Sequence, residues 1–166
     1  MKRKHWLLLL VVLSISMSAF AGGGWDFYTS LGISPKDAFS LHFGMVKNKL
    51  GGEIYAKSDL QRLKKDIGKL DGKAYRMSIM GGITYRPIEF LLLTANAGYG
   101  ASGIYKVDAT QTTYGAEDLK EGVEAGLGVH VNFGRGFILY GGMSFFPIGL
   151  SDSVTNEYTV GVGFVF

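Results

Sequence analysis

The 166-residue chain has no cysteine and only three prolines. The first absence excludes a disulfide framework and a lipid-modified N-terminal cysteine. The scarcity of proline leaves few points where an extended ladder must break. Past the N-terminal segment no long apolar run occurs, which excludes helical spans of a membrane. A net charge of one sign is missing as well. The formal +3 arises because three of the 17 Lys and Arg residues are Lys2, Arg3 and Lys4, while all 14 Asp and Glu lie further on. Without those three the chain has 14 basic and 14 acidic side chains, so a basic, nucleic-acid-binding protein is not supported.

What is present begins with a targeting pattern. Lys2 to Lys4 form a basic region, Trp6 to Ile15 an apolar one, and Ser18-Ala19-Phe20-Ala21 places small residues where a signal peptidase reads. The apolar part is short of the roughly 20 residues of a transmembrane helix. Residues 1–21 are therefore expected to be a cleaved signal peptide, and residues 22–166 a single domain.

The whole chain has 25 glycines, 11 phenylalanines and 9 tyrosines, a composition suited to sheet, and all but Phe20 of these fall in that domain. Its last strand is the clearest. Tyr158, Val160, Val162, Phe164 and Phe166 share one parity, and Thr159, Gly161 and Gly163 the other. Seven further strands are predicted: Trp25 to Ile33, Asp37 to Lys47, Leu50 to Ser58, Tyr75 to Tyr85, Glu89 to Ala101, Leu119 to Phe133 and Phe137 to Phe146. Tight turns are expected at Asn48-Lys49, Arg86-Pro87-Ile88 and Gly134-Arg135-Gly136. Between them fall long connections at 59–74 and 102–118 and an intermediate one at 147–153; Ser34-Pro35-Lys36 is the short exception. Short and longer connections in alternation suit an up-and-down barrel better than a Greek-key sandwich.

Aromatic residues collect near both strand ends. Trp25, Phe27, Tyr85, Phe90, Phe133, Phe137, Phe164 and Phe166 lie near one, and Phe39, Tyr75, Tyr99, Phe146 and Tyr158 near the other, as interfacial girdles would. Phe43, Tyr55 and Tyr140 sit mid-strand and fit a sandwich core equally. With these features the chain resembles the small eight-stranded outer-membrane barrels of the OmpA and OmpX type. The terminal alternation, Tyr158, Val160, Val162, Phe164 and Phe166, resembles the C-terminal signature that the barrel-insertion machinery reads. The resemblance implies an all-β, closed antiparallel transmembrane barrel in the bacterial outer membrane, surrounded by lipid and monomeric.

Candidate chemistry lies on the inward parity. Asp26, His42, Glu53, Lys57, Arg76, Glu124, His130 and Glu157 fall there, and an eight-stranded barrel is just wide enough for side chains to fill. Glu53, Lys57, Arg76, Glu124 and His130 are expected to form a polar lumen network, either a gate or proton path or a structural plug. Ser40 and His42, with Glu53 or Glu157, admit a lipid-modifying enzyme, but their parity points away from lipid. His42 and His130 have no close His or Cys companion in sequence, so neither a metal site nor a cofactor is expected. Gly98-Tyr99-Gly100 and Gly126-Leu127-Gly128 lie inside strands and are not phosphate loops. Gly161 and Gly163 read as room for lumen side chains.

The 59–74 connection carries Arg62, Lys64, Lys65, Lys69 and Lys73 against Asp59, Asp66 and Asp71. Leu60, Leu63, Ile67 and Leu70 recur at helical spacing. A basic lip there could hold lipopolysaccharide phosphates, or it could be a solvated loop. The functional reading is a non-enzymatic barrel presenting loops, with a lipid-modifying enzyme or a narrow pore as alternatives.

Overall fold

The structure is a computed structural model that describes residues 24–35, 38–59, 67–110, 113–134, 136–148 and 155–166. The expected signal peptide and Arg62, Lys64 and Lys65 lie outside those residues.

Alternating apolar and small or polar residues give eight strands: β1 (Trp25–Ile33), β2 (Ala38–Lys47), β3 (Leu50–Asp59), β4 (Ala74–Ile88), β5 (Leu91–Val107), β6 (Tyr114–Asn132), β7 (Phe137–Ile148) and β8 (Thr155–Val165). Each pairs antiparallel with the next, and β8 pairs with β1 to close a barrel in sequence order. The closing seam is registered from Tyr28↔Val165 to Ile33↔Val160. Just beyond it Phe27 N–H donates to Phe166 O at 3.3 Å and Phe166 N–H to Phe27 O at 2.8 Å. The β5–β6 ladder is far longer, from Leu91↔Val131 to Val107↔Tyr114.

Along β3, Glu53, Tyr55 and Lys57 are buried, while Ile54 between them is 60% exposed. The same alternation turns Leu31, Ile79, Ile83, Leu127, Val160, Val162 and Phe164 outward. An exposed apolar belt around a closed barrel is the surface that lipid covers. Trp25 at the start of β1, Phe166 after β8 and the β2–β3 turn share one end of the barrel, where Trp25 is registered with Lys47 and Phe27 bonds Phe166. Asn48 takes φ 57° in the β2–β3 turn, a conformation asparagine tolerates better than most residues.

Several expectations are corrected. β4 does not stop before Pro87; it runs to Ile88 through a register shift between Tyr85 and Ile88, and Glu89 and Phe90 make the turn. The irregularity leaves Pro87 without a ladder position that would demand its missing N–H. The supposed long loop at 102–118 is mostly strand. β5 and β6 have 17 and 19 residues, beyond the roughly 9–11 that cross a bilayer, and pair as far as Val107↔Tyr114. Tyr114 to Glu121 are all exposed. With both faces in water that ribbon needs no alternation, so it carries no strand signature.

Within 59–74 the described part holds one 3₁₀ turn, Ile67–Leu70. Its Leu70 packs in a cluster with Tyr75 and Tyr105. Tyr75 is thereby buried rather than placed on an outer girdle. Phe146 is not a girdle residue either: it follows the inward parity of Ile138, Tyr140 and Ser144 and is 1% exposed. The starts of β5 and β7, apolar on both faces, have a simple cause. Leu92 and Ile138 turn inward and meet Tyr28 and Val46 in an apolar cap near the termini end of the lumen.

Candidate functional site

The lumen is stacked in layers, and the inward row of β3 runs through them. Next to the apolar cap lies Glu53. Its Oε2 accepts from Tyr28 Oη at 2.9 Å and its Oε1 from Asn96 Nδ2 at 2.8 Å. His42 Nδ1 is 3.2 Å from Oε1, and His130 Nε2 is 3.1 Å from Oε2. Tyr28 Oη also lies 2.6 Å from Thr84 Oγ1. Aromatic rings wall this layer: Tyr55 stacks on His42 at 4.2 Å, and Tyr140 lies 4.1 Å from His42 and 4.6 Å from His130. A buried carboxylate requires such compensation, because an isolated ion in a dry interior is strongly disfavoured.

Four residues up β3 from Glu53, Lys57 reaches Glu124 at 3.3 Å and Glu157 at 3.0 Å. Arg76 contacts the same two carboxylates, each at 3.0 Å. Two cations and two anions thus close a neutral ring. Lys57 also donates to Ser144 Oγ at 2.9 Å, Ser34 donates to Glu157, and the Arg76 guanidinium lies 4.8 Å from the Phe146 ring. Further out, Tyr105 Oη donates to Asp59 at 2.7 Å.

The sequence-derived candidates therefore separate into two sets. Glu53 and His130 belong to the inner layer with His42, whereas Lys57, Arg76 and Glu124 belong to the ionic ring with Glu157. Asp26 takes no part; at the termini end it pairs with Arg86 at 2.6 Å and its side chain is 47% exposed. Ser40 and His42 both face inward, but Ser40 Oγ has no hydrogen-bond partner among the described residues. His42 Nε2 likewise has none and its Nδ1 bonds Glu53, so the two side chains do not form a serine–histidine pair. Lys69 and Lys73 are exposed beside the 3₁₀ turn.

Sequence reasoning overlooked Tyr28, Asn96 and Tyr140. Glycines beside them on the inward face, across the ladder or two residues along the strand, were the usable signal. A Cβ on Gly44 would fall 2.1 Å from Tyr28 Cζ, and one on Gly142 would fall 1.9 Å from Tyr140 Oη. Gly161 has a different role from the one expected. A Cβ there would meet Leu31 O at 2.3 Å, so the close approach is to the β1 backbone across the seam. Sequence spacing also concealed a ligand set. Ligand atoms of His42, Glu53 and His130 all lie within 4.8 Å of one another.

No family model matches the chain, and no curated protein matches it significantly. Solved structures do. Ail, the attachment invasion locus protein of Yersinia pestis, in complex with the heparin analogue sucrose octasulfate, superposes with a TM-score of 0.59 at 15% identity, over 86% of this chain and 96% of that one. Ail in a phospholipid bilayer nanodisc gives 0.56 at 16%, over 86% and 98%. The N-terminal β-barrel domain of Pseudomonas aeruginosa OprF gives 0.51 at 14%, over 86% and 96%. At these identities the likeness is one of fold: the chain has the architecture of the small eight-stranded outer-membrane barrels.

Proposed function

We propose that the protein is a non-enzymatic barrel of the bacterial outer membrane that seals its own lumen and presents its outer loops to polyanions. The observation that carries this reading is the neutral ring of Lys57, Arg76, Glu124 and Glu157 stacked above the Glu53 layer and the apolar cap. A lumen occupied in this way holds together as a plug, because each charge of the ring has its partner. The unpaired Ser40 and the inward direction of His42 support a role without acyl-transfer chemistry. In planar lipid bilayers the purified barrel is expected to be electrically silent. Steady unitary conductance would replace the plug with a pore.

The proposed polyanion contact is the basic group Arg62, Lys64, Lys65, Lys69 and Lys73, with phosphate groups of lipopolysaccharide as the ligand. The exposure of Lys69 and Lys73 supports it, as does the described complex of Ail with a sulfated heparin analogue. Replacing Lys64, Lys65, Lys69 and Lys73 together by Glu should weaken retention on immobilised lipopolysaccharide about tenfold or more at low salt and leave folding intact. Undiminished retention would remove the loop from the reading.

A further inference from the structure

The inner layer has an unusual charge balance. Glu53 is buried there with two imidazoles, an amide and phenols, but no lysine or arginine contacts it among the described residues. Lys57 and Arg76 are instead engaged by Glu124 and Glu157. The layer is also incompletely hydrogen-bonded. His42 Nε2, both ring nitrogens of His130, and Asn96 Oδ1 are buried without a hydrogen-bond partner among the described residues. His130 Nε2 sits 3.1 Å from Glu53 Oε2 without the alignment of a hydrogen bond.

We propose that His42, Glu53 and His130 form a binding site for a late first-row divalent metal ion such as zinc. Ligand atoms around tetrahedral zinc, at about 2.0–2.1 Å from the metal, lie roughly 3.3 Å apart. Each histidine already lies at that spacing from one oxygen of Glu53, His42 Nδ1 3.2 Å from Oε1 and His130 Nε2 3.1 Å from Oε2, and one ligand atom from each of the three residues falls within 4.8 Å of the others, a separation that small side-chain rotations would close onto an ion. Both histidines are 0% exposed and Glu53 is 3% exposed, so three donors face one another in a dry compartment. Two imidazoles and one carboxylate select zinc, nickel, cobalt or copper(II) over calcium and magnesium, which prefer oxygen shells. Tyr28 Oη and Asn96 Nδ2 each donate to Glu53 and hold its carboxylate in place beside the two imidazoles. The ion would supply the positive charge that the layer lacks and would tie β2, β3 and β6 together across the lumen.

The test uses untagged protein purified from outer membranes into detergent and stripped with a chelator. Zinc is added to the folded barrel in one arm and during refolding from urea in the other. After gel filtration, elemental analysis should find about one zinc per barrel in at least one arm. X-ray absorption at the zinc edge should show two imidazoles in a nitrogen and oxygen shell. His42→Gln and His130→Gln, checked for folding by heat-modifiable migration, should each lower affinity about tenfold or more. Less than about a tenth of an ion per barrel in both arms would overturn the site. So would a zinc shell without imidazole in the wild type, or stoichiometric binding by both folded variants. Lipopolysaccharide binding by the outer loop is read separately, so failure of either idea is recognisable.

Discussion

Lys57 neutralises two carboxylates at once, Glu124 at 3.3 Å and Glu157 at 3.0 Å, at about 3% exposure. Lys57→Met should therefore cost about 3–5 kcal/mol, because Arg76 alone remains to balance two buried anions. Adding Glu157→Gln should restore part of that loss by removing the surplus charge. Urea titration of the folded barrel, read by tryptophan fluorescence, gives both values. Equal stability of the single variant and wild type would mean that the ring contributes little. At this scale alternation was readable, since a charge on a strand with a lipid-facing side has only the inward direction left. The tyrosines were less readable, because Tyr28 and Tyr140 look like girdle or core residues until their glycine neighbours are considered. Tyr75 was misread for another reason: its burial depends on Leu70 and Tyr105, which come from separate parts of the chain.

The terminal strand shows what one element contributes. Phe166 N–H donates to Phe27 O at 2.8 Å, and the ring lies at the end where interfacial aromatics collect. Deleting Phe166 removes backbone bonds and ring together; Phe166→Asp removes only the ring and adds charge; Phe166→Tyr preserves both contributions. Assembled barrel should fall in the order wild type, Tyr, Asp, deletion, measured as the heat-modifiable fraction of membranes. Full assembly of the Asp variant would show that the backbone closure alone suffices. Strand existence was legible for all eight elements because each must alternate to face lipid and lumen. Strand length was not. The outer part of β6 is exposed on both faces, and β4 passes Pro87 through an irregular register, so neither end obeys the rule used to find it.

For the whole molecule, closure could be read from the alternation of short and longer connections, a property of the chain as a path. Convergence could not be read in that way. His42 and His130 stand on β2 and β6 and meet only because the sheet curls until their ring centroids are 5.6 Å apart. The same curling produces a ring of unequal bonds. The β5–β6 ladder spans Leu91↔Val131 to Val107↔Tyr114, whereas the β1–β8 seam spans only Tyr28↔Val165 to Ile33↔Val160. A circular zip with one short run has a preferred place to part. Amide deuterium uptake under mild denaturant should begin at Thr29 to Ile33 and Val160 to Phe164, with Ala95 to Ala97 and Ala125 to Leu127 exchanging last. Uniform uptake around the circumference would contradict this. The two strands whose pairing closes the ring would then also be the first to separate, and a misassembled barrel would leave this edge free to capture the edge of another copy.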